Sequence, residues 1–130
     1  MSNTASNYIE NDIFAKNLGI ELVEKGNESA VCKLKITEDH KNGLGSLHGA
    51  VIFSLADVAF AAACNTNLTA IGIQAGIKYL NQPDGNILIA EASAISCSNK
   101  IGHYQVNIKD EAGTKIACFE GTAYRFPQKN

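Results

Sequence analysis

The sequence predicts an α+β fold in which a curved antiparallel sheet of about five or six strands wraps around one central helix. A long apolar run covers residues 49–65 and has the length of a helix rather than of a strand. From residue 69 onward the chain reads as successive strands joined by short turns, which favours antiparallel pairing. Because the helix is apolar on all sides, one flat sheet face cannot cover it, and the sheet must curve.

The first predicted elements are a short amphipathic helix over residues 7–18 and a β-hairpin. Apolar residues in the first segment follow helical spacing, and Gly19 stands where a helix would stop. These apolar residues are Ile9, Ile13, Phe14 and Leu18. In the hairpin, Cys32, Leu34 and Ile36 recur with a period of two, and the letters EKGNES ahead of them supply turn residues.

Four more strands are predicted after the central helix. The first begins at Thr69 and should carry on one face Ile71, Ile73, Ala75, Ile77 and Tyr79. The turn QPDG leads to the run NILIAEASAISC, and the last two strands, GHYQVNIKD and TKIACFEGTAYRF, are joined by EAG. Because no repeat or linker interrupts this order, residues 1–130 are expected to form a single domain.

Composition and charge narrow the class of partner. The 130 residues are 45% hydrophobic and 18% charged, as in soluble globular proteins. A net charge of -2 with scattered Lys and Arg predicts no nucleic-acid or membrane partner, so a small-molecule substrate is expected. The letters MSNTASNYIE lack the features of a secretory signal, and the apolar stretch 50–64 is too short to span a bilayer. A cytoplasmic location is predicted.

The four cysteines predict neither a metal site nor a disulfide framework. They lie far apart, with no C-x-x-C pair and no histidine at metal-ligand spacing. They are Cys32, Cys64, Cys97 and Cys118. A free cysteine behaves as a small buried hydrophobe, so a structural role is expected.

One carboxylate, Asp57, lies in the middle of the apolar helix. Its neighbours one turn away are nearly all apolar: Phe53, Ser54, Phe60 and Ala61. Most helical aspartates are solvated on a polar face, but this helix offers no such face. In an apolar cleft the pKa of a carboxyl rises, and the group becomes a usable general base or nucleophile near neutral pH.

A glycine-rich loop leads into this helix. Gly43, Gly45 and Gly49 allow tight turns and close backbone approach. The first helical turn leaves free N–H groups at the positive end of the helix, and such groups can stabilise an oxyanion. The alternative is a plain loop entering a helix, with His48 merely near the cap.

The ordered residues of this segment resemble a known signature. The stretch with Asn42, Gly45, Leu47, His48 and Gly49, followed by VIFSLAD, which ends in Asp57, and by ACN, is similar to the N-x-x-G-x-x-H-G-G-x-x-x-x-L-x-D motif of hot-dog thioesterases, particularly the PaaI family. The likeness continues through IKYLNQP, AEA and IACFEGTAYRF, and so covers about residues 40–126. The resemblance implies a hot-dog fold, hydrolysis of acyl-CoA or aryl-CoA thioesters without metal or cofactor, and a dimer of homodimers.

The resemblance also implies roles for individual residues. Asp57 would be the base or nucleophile, the Gly49 N–H would polarise the thioester carbonyl, and Asn42 and His48 would orient the loop, substrate or water. The second glycine of the motif is Ala50 here, and its extra methyl bears on the choice of acyl group. Lys100, at a predicted loop tip, is a candidate for contact with a CoA phosphate, although a solvated lysine is the equal alternative.

Helix geometry adds an expectation about the number of chains in the site. Eight residues of helix separate Gly49 from Asp57 by about 12 Å. Both must act within about 3 Å of one reacting group. Asp57 of one chain is therefore expected to meet Gly49 of another.

Two other functions stay open. A hot-dog hydratase or dehydratase would pair a histidine with an acidic residue, usually Glu, whereas this helix carries Asp. A non-catalytic acyl-CoA binding module would need no base, and Asp57 argues against it. The remaining histidines, His40 and His103, are expected to be exposed.

Overall fold

Six antiparallel strands form one sheet around a single long helix in the computed structural model, which describes residues 8–126. The helices are α1 (Ile13–Leu18) and α2 (Gly49–Cys64). The strands are β1 (Ile20–Gly26), β2 (Ser29–Lys35), β3 (Ala70–Tyr79), β4 (Ile87–Cys97), β5 (Ile101–Asp110) and β6 (Lys115–Arg125). Their order in the sheet is β1-β2-β4-β5-β6-β3, so β1 and β3 are the edges. The predicted fold class is confirmed.

The predicted N-terminal helix is divided in two. A 3₁₀ turn covers Ile9–Asn11, and α1 begins only after Asp12, which has an extended backbone. The Asp12 side chain accepts a 2.9 Å hydrogen bond from the N–H of Ala15 and so caps α1. Aspartate competes for backbone donors in this way, which favours a helix start over a helix interior. Residue 7 of the prediction lies outside the described part of the chain.

Helix α2 is the centre of the core. Ten of its residues are buried: Val51, Ile52, Leu55, Ala56, Val58, Ala59, Phe60, Ala62, Ala63 and Cys64. The ring of Phe60 enters the sheet where two glycines leave room for it. A Cβ added at Gly72 would lie 2.9 Å from a ring carbon, and one added at Gly121 would lie 2.8 Å from another. The absence of side chains at these positions therefore allows helix and sheet to approach closely.

The turns at one end of the sheet are joined by a buried carboxylate, Asp110. It accepts hydrogen bonds of 2.8 to 3.0 Å from the backbone N–H groups of Asp84, Gly85, Ala112 and Thr114. Desolvation alone would raise the pKa of Asp110, but these four hydrogen bonds outweigh it and hold the pKa below its usual value. The β3–β4 and β5–β6 connections are thereby fixed to each other.

Strand β3 lies at the edge of the sheet and is exposed along most of its length. Ile71 and Ile73 are 55% and 58% exposed. The prediction that alternate residues from Ile71 to Tyr79 share one face is wrong, because the pairing with β6 shifts register between Gly72 and Gln74. Such a bulge inserts an extra residue and reverses which side chains face inward.

The two histidines outside the proposed site differ in burial. His40 is buried rather than exposed, because its ring bonds to the backbone of Thr37 and Leu18. His103 is exposed, as predicted. Cys32 and Cys64 are buried, as expected for structural cysteines, whereas the other two cysteines are exposed. Within residues 8–126, no helix has the length and apolar character needed to cross a membrane.

Candidate active site

Asp57 lies in a cavity of about 490 Å³ between α2 and β3. Tyr8 and residues 60–61, 64–65 and 70–75 complete its lining. The Asp57 side chain is exposed to the cavity, and residues of α2 and β3 form the walls around it. Desolvation, and then the negative charge of Asp12, raise the pKa of Asp57 above its ordinary value.

The other titratable groups of this cavity, Tyr8 and Cys64, are poor reactants. Desolvation raises the pKa of the Cys64 thiol to about 12, and the nearby charge of Glu28 contributes. Desolvation and the neighbouring Asp12 also raise the pKa of the Tyr8 hydroxyl. Both groups are neutral at physiological pH, and Asp57 is the group of this lining that ionises most readily.

Asn65 fixes the distance between α2 and the start of β3. Its side-chain amide donates to the carbonyl oxygens of Ala61, at 2.8 Å, and Ala70, at 3.1 Å, and its side-chain oxygen accepts from the N–H of Ala70 at 3.0 Å. The residue is buried, so these hydrogen bonds are shielded from water. The end of the helix is thereby tied to the strand that forms the other wall of the cavity.

The loop ahead of α2 is organised by two of the predicted residues. The side-chain oxygen of Asn42 accepts from the N–H of Leu44 at 2.9 Å and of Ser46 at 3.1 Å. Nδ1 of His48 accepts a 3.0 Å hydrogen bond from the N–H of Ala50 and so caps α2. Since Nδ1 is the acceptor, the neutral ring carries its proton on Nε2. Gly45, at a φ of 81°, turns the loop between them.

Gly49 opens a second cleft, of about 340 Å³, at the N-terminus of α2. Asn42, Leu47, Ile52 and residues 79–82 are its other lining. The N–H of Gly49 donates to no acceptor within residues 8–126, while its carbonyl oxygen accepts a 3.1 Å hydrogen bond from the hydroxyl of Tyr79. This free donor lies at the positive end of a helix, where an anion is stabilised.

Asp57 and Gly49, which the sequence predicts to act in one site, line different clefts. Their linings share no residue: Asp57 faces the first part of β3, and Gly49 faces its last residue, Tyr79. Both residues belong to one regular helix, in which eight residues span about 12 Å. Lys100 is exposed in the turn between β4 and β5 and lines neither cleft.

The sequence did not indicate two residues that line the clefts, Tyr8 and Tyr79, or the acidic residue Asp12, whose charge acts on Asp57. Tyr79 follows a strand pattern and was assigned only to a strand face. Asp12 carried a signal in its place before an apolar helical run, which is typical of an N-cap. Nothing in the local sequence indicates that Tyr8 reaches a helix that begins 41 residues later.

Fold and site together define a hot-dog protein with an acidic residue in a cleft between helix and strand, and with a helix-start N–H that donates to no acceptor among residues 8–126. The family model described as the thioesterase superfamily matches residues 44–117. This chain therefore belongs to the thioesterase superfamily, and its reaction class is thioester hydrolysis.

Individual relatives support the same family assignment. Acyl-coenzyme A thioesterase PaaI of Escherichia coli is 36% identical over 118 residues, which are 89% of this chain and 84% of that protein. A protein of Archaeoglobus fulgidus, described as a putative esterase, is 34% identical over 118 residues, 89% of this chain and 77% of its own. The solved structure of the E. coli PaaI protein matches with a TM-score of 0.88, covering 97% of this chain and 93% of that one. Identity over this structural superposition, which spans more of the chain, is 30%.

Proposed function

We propose that this chain hydrolyses aryl- or short- to medium-chain acyl-CoA thioesters to the free acid and CoA, with Asp57 as the reacting carboxylate. The observation that carries the proposal is the position of Asp57 in the cavity between α2 and β3, where its pKa is raised. The E. coli relative, which is named an acyl-coenzyme A thioesterase, supports the substrate class. A carboxylate of raised pKa accepts a proton more strongly than an ordinary one and remains usable near neutral pH.

The N–H of Gly49 is proposed to polarise the thioester carbonyl. Its lack of an acceptor within the described chain leaves it available to a ligand. Charge that develops on the carbonyl oxygen would be stabilised by this donor and by the helix terminus. Asn42 and His48 are proposed to support this donor by holding the loop and capping the helix, and Asn42 also lines the Gly49 cleft.

Asp57 has two chemical routes, and both use its ionised form. As a general base, it takes a proton from water while the water oxygen bonds to the thioester carbon. As a nucleophile, it bonds that carbon itself and forms a mixed anhydride, which water then cleaves. In both routes the carbonyl oxygen becomes an oxyanion near Gly49, the carbon–sulfur bond breaks, and the CoA thiolate leaves and takes up a proton.

The complete site is proposed to form between two copies of the chain. Strand β3 is an exposed edge of the sheet, its outer backbone groups pair with no other strand of residues 8–126, and Ile71 and Ile73 are exposed, which favours pairing with another strand. If two copies pair antiparallel through β3, the Asp57 end of one strand lies beside the Gly49 end of the other. A two-fold axis then gives two equivalent sites. A dimer of such dimers, and contact of Lys100 with a CoA phosphate, remain part of the proposal.

Thiol release from a panel of acyl-CoA thioesters tests this function. Aryl, short-chain and medium-chain thioesters are compared for the wild type, Asp57→Asn and the matched control Asp39→Asn, an exposed aspartate outside both clefts. We expect wild-type and control activity, and a fall in kcat of about 10² to 10⁴ for Asp57→Asn. A folded Asp57→Asn variant with near-full activity would contradict the assignment of Asp57.

The same panel separates the alternatives. If no thioester releases thiol although the protein binds CoA esters, the chain is a binding module. If an enoyl-CoA is hydrated while its thioester remains intact, the chain is a hydratase. Either result rejects thioester hydrolysis as the function.

A further inference from the structure

The cavity that holds Asp57 continues past this residue along α2. Its wall on the helix side consists of residues 57, 60–61 and 64–65, which recur every three or four positions and so form one stripe. Residues 70–75 form the opposite wall, and Tyr8, ahead of α1, completes the lining. We propose that this cavity receives the acyl group of the thioester, that the acyl group is uncharged, and that Ala61 and Tyr8 determine its size. The inference rests on the proposed function of Asp57 and adds to it the class of acyl group.

The cavity is long enough for an acyl group to extend beyond Asp57. Cys64 follows Asp57 by seven helical residues, a rise of about 10 Å, and both residues belong to the lining. Next to Cys64, the buried side chain of Asn65 donates a 3.1 Å hydrogen bond to the carbonyl oxygen of Ala70 and joins α2 to β3. An acyl chain that starts at Asp57 therefore has about 10 Å of cavity before it reaches the junction of helix and strand.

One residue of the lining, Phe60, is an aromatic ring that is held in place by other rings. Phe60 is 2% exposed, and its ring centroid lies 5.6 Å from that of Tyr104 and 5.7 Å from that of Phe119. Aromatic pairs at such distances stabilise each other beyond the burial of their surface. Together with Ile71 and Ile73 on the opposite wall, Phe60 gives the cavity an apolar surface, which favours a hydrocarbon over water.

The lining offers no cationic partner to a charged acyl group. Among the described residues that line the cavity there is no Lys or Arg, and Tyr8 and Cys64 are neutral at physiological pH. The side-chain amide of Asn65 already donates to two backbone carbonyl oxygens. Since Asp57 is negative when it reacts, a carboxylate on the acyl group would be repelled and would lose hydration without gaining a counterion. The cavity therefore favours an uncharged acyl group.

The two clefts differ in the same way as the two sides of an acyl-CoA thioester. The Gly49 cleft includes the polar residues Asn42, Asn81 and Gln82, of which the last two are exposed. The CoA side of the thioester is a polar arm with amides and phosphates, whereas the acyl side is a hydrocarbon. With the carbonyl oxygen at the Gly49 N–H of one chain and the carbonyl carbon at Asp57 of the other, the acyl group extends along α2 of the chain that supplies Asp57. The CoA arm then leaves along the Gly49 cleft.

Ala61 and Tyr8 limit the cavity from the helix and from the segment ahead of α1. Ala61 lies one helical turn after Asp57 on the same face and is half-buried, so a larger side chain there would occupy the path of the acyl group. Tyr8 is partly buried and packs against the core, so loss of its ring would leave additional space in the cavity wall. Substitutions at the two positions should therefore change acyl preference in opposite directions.

The test compares acyl selectivity in the wild type, Ala61→Leu and Tyr8→Ala. The matched controls are Ala112→Leu and Tyr124→Ala, which make the same changes at residues outside both clefts. Thiol release gives kcat/KM for acetyl-, butanoyl-, octanoyl- and succinyl-CoA. Calorimetry gives the Kd of ethyl- and octyl-CoA thioethers, which lack the thioester carbonyl and are not hydrolysed.

We expect the octanoyl-to-acetyl ratio of kcat/KM to fall about tenfold or more in Ala61→Leu, to rise several-fold in Tyr8→Ala and to stay constant in the controls. The affinity for the octyl thioether, relative to that for the ethyl thioether, should change in the same directions. Succinyl-CoA should have a kcat/KM at least about tenfold below that of butanoyl-CoA, because its carboxylate is desolvated without a counterion.

Wild-type ratios in a folded Ala61→Leu or Tyr8→Ala variant would reject the role of that residue, and wild-type ratios in both would overturn the acyl cavity. Equal kcat/KM for succinyl- and butanoyl-CoA would overturn the uncharged acyl class. Thermal melts check folding, and if Ala61→Leu does not fold, Tyr8→Ala still tests the cavity. If thioether affinities change as expected while no thioester is hydrolysed, the acyl cavity is upheld and the proposed reaction is rejected. If hydrolysis depends on Asp57 while neither ratio changes, the reverse holds.

Discussion

The hydroxyl of Tyr79 donates a 3.1 Å hydrogen bond to the carbonyl oxygen of Gly49, so the last residue of β3 is tied to the first residue of α2. The ring of Tyr79 also lies against Gly49: a Cβ added at Gly49 would be 3.4 Å from the nearest ring carbon. The residue that presents the proposed oxyanion donor is thus held by an edge strand through its carbonyl group.

Tyr79→Phe should lower kcat while the thiol-release KM changes little. One hydrogen bond contributes about 0.5 to 1.5 kcal/mol, so a loss of about two- to tenfold is expected. Tyr124→Phe is the control, because Tyr124 packs against Phe126 and lines neither cleft. Steady-state kinetics of both variants provide the measurement, and equal kcat values would show that the tyrosine does not position Gly49.

Mixing two inactive variants should restore activity if the site is shared between chains. Asp57→Asn is combined with Gly49→Pro, which removes the N–H donor. Proline is suited to the first helical position, and His48 before it already has the extended backbone that precedes proline. Since half of the dimers are mixed and one of their two sites is intact, about a quarter of wild-type activity is expected. Sites contained in single chains would give none.

Ala50→Gly should change the choice of acyl group rather than the reaction. Ala50 lies next to Gly49 in the first turn of α2, and its methyl group is exposed. One methylene can discriminate between substrates by roughly 10- to 200-fold, so a several-fold change in the ratio of kcat/KM for aryl and straight-chain thioesters is expected. Identical profiles in the two proteins would show that this methyl group does not contact the acyl chain.

Asp57→Asn should be more stable than the wild type at neutral pH. Because the folded state raises the pKa of Asp57, that state holds the proton more tightly than the unfolded chain does. Stability is therefore lost as pH rises from the ordinary aspartate pKa of about 3.9 through the raised value. Thermal melts should show a higher Tm for the variant at pH 7 and no difference below about pH 4. A lower Tm at pH 7 would contradict the raised pKa.

The contribution of Asp110 to stability should have the opposite pH dependence. Its pKa is lowered in the folded state, so the stability that it contributes is present above the ordinary aspartate pKa and is lost as pH falls below it. Asp110→Asn should lower the Tm at pH 7 by about 5 °C or more, because an amide can accept fewer of the four backbone hydrogen bonds. In acid the two proteins should converge, and a constant difference at all pH values would exclude the role of the charge.

The sequence predicted the elements of the fold better than their contacts. The all-round apolar character of residues 49–65 predicted a buried helix and a curved sheet, and both are observed. The division of the first helix at Asp12 and the bulge after Gly72 were missed, because one depends on a capping bond and the other on pairing with β6. Local periodicity carries neither kind of information.

The candidate site shows the same difference between what local sequence indicates and what depends on contacts made in the fold. Asp57, Gly49 and the loop between Asn42 and His48 were predicted from their types, their spacing and a resemblance to a motif, and their roles in the reaction stay predictions. Tyr8 and Tyr79 were missed because they reach the site only after the chain has folded. His40 was placed wrongly for the same reason: its burial depends on the carbonyl oxygen of Leu18, a residue far away in sequence.

The fit of Phe60 between Gly72 and Gly121 also limits how this protein can diverge. Phe60 follows Asp57 by three residues, on the same side of α2. A side chain gained at either glycine would collide with the ring, so that the ring or its surroundings would have to shift. A substitution at either of these two strand positions is therefore expected to disturb the proposed reacting carboxylate, which lies one helical turn from the ring.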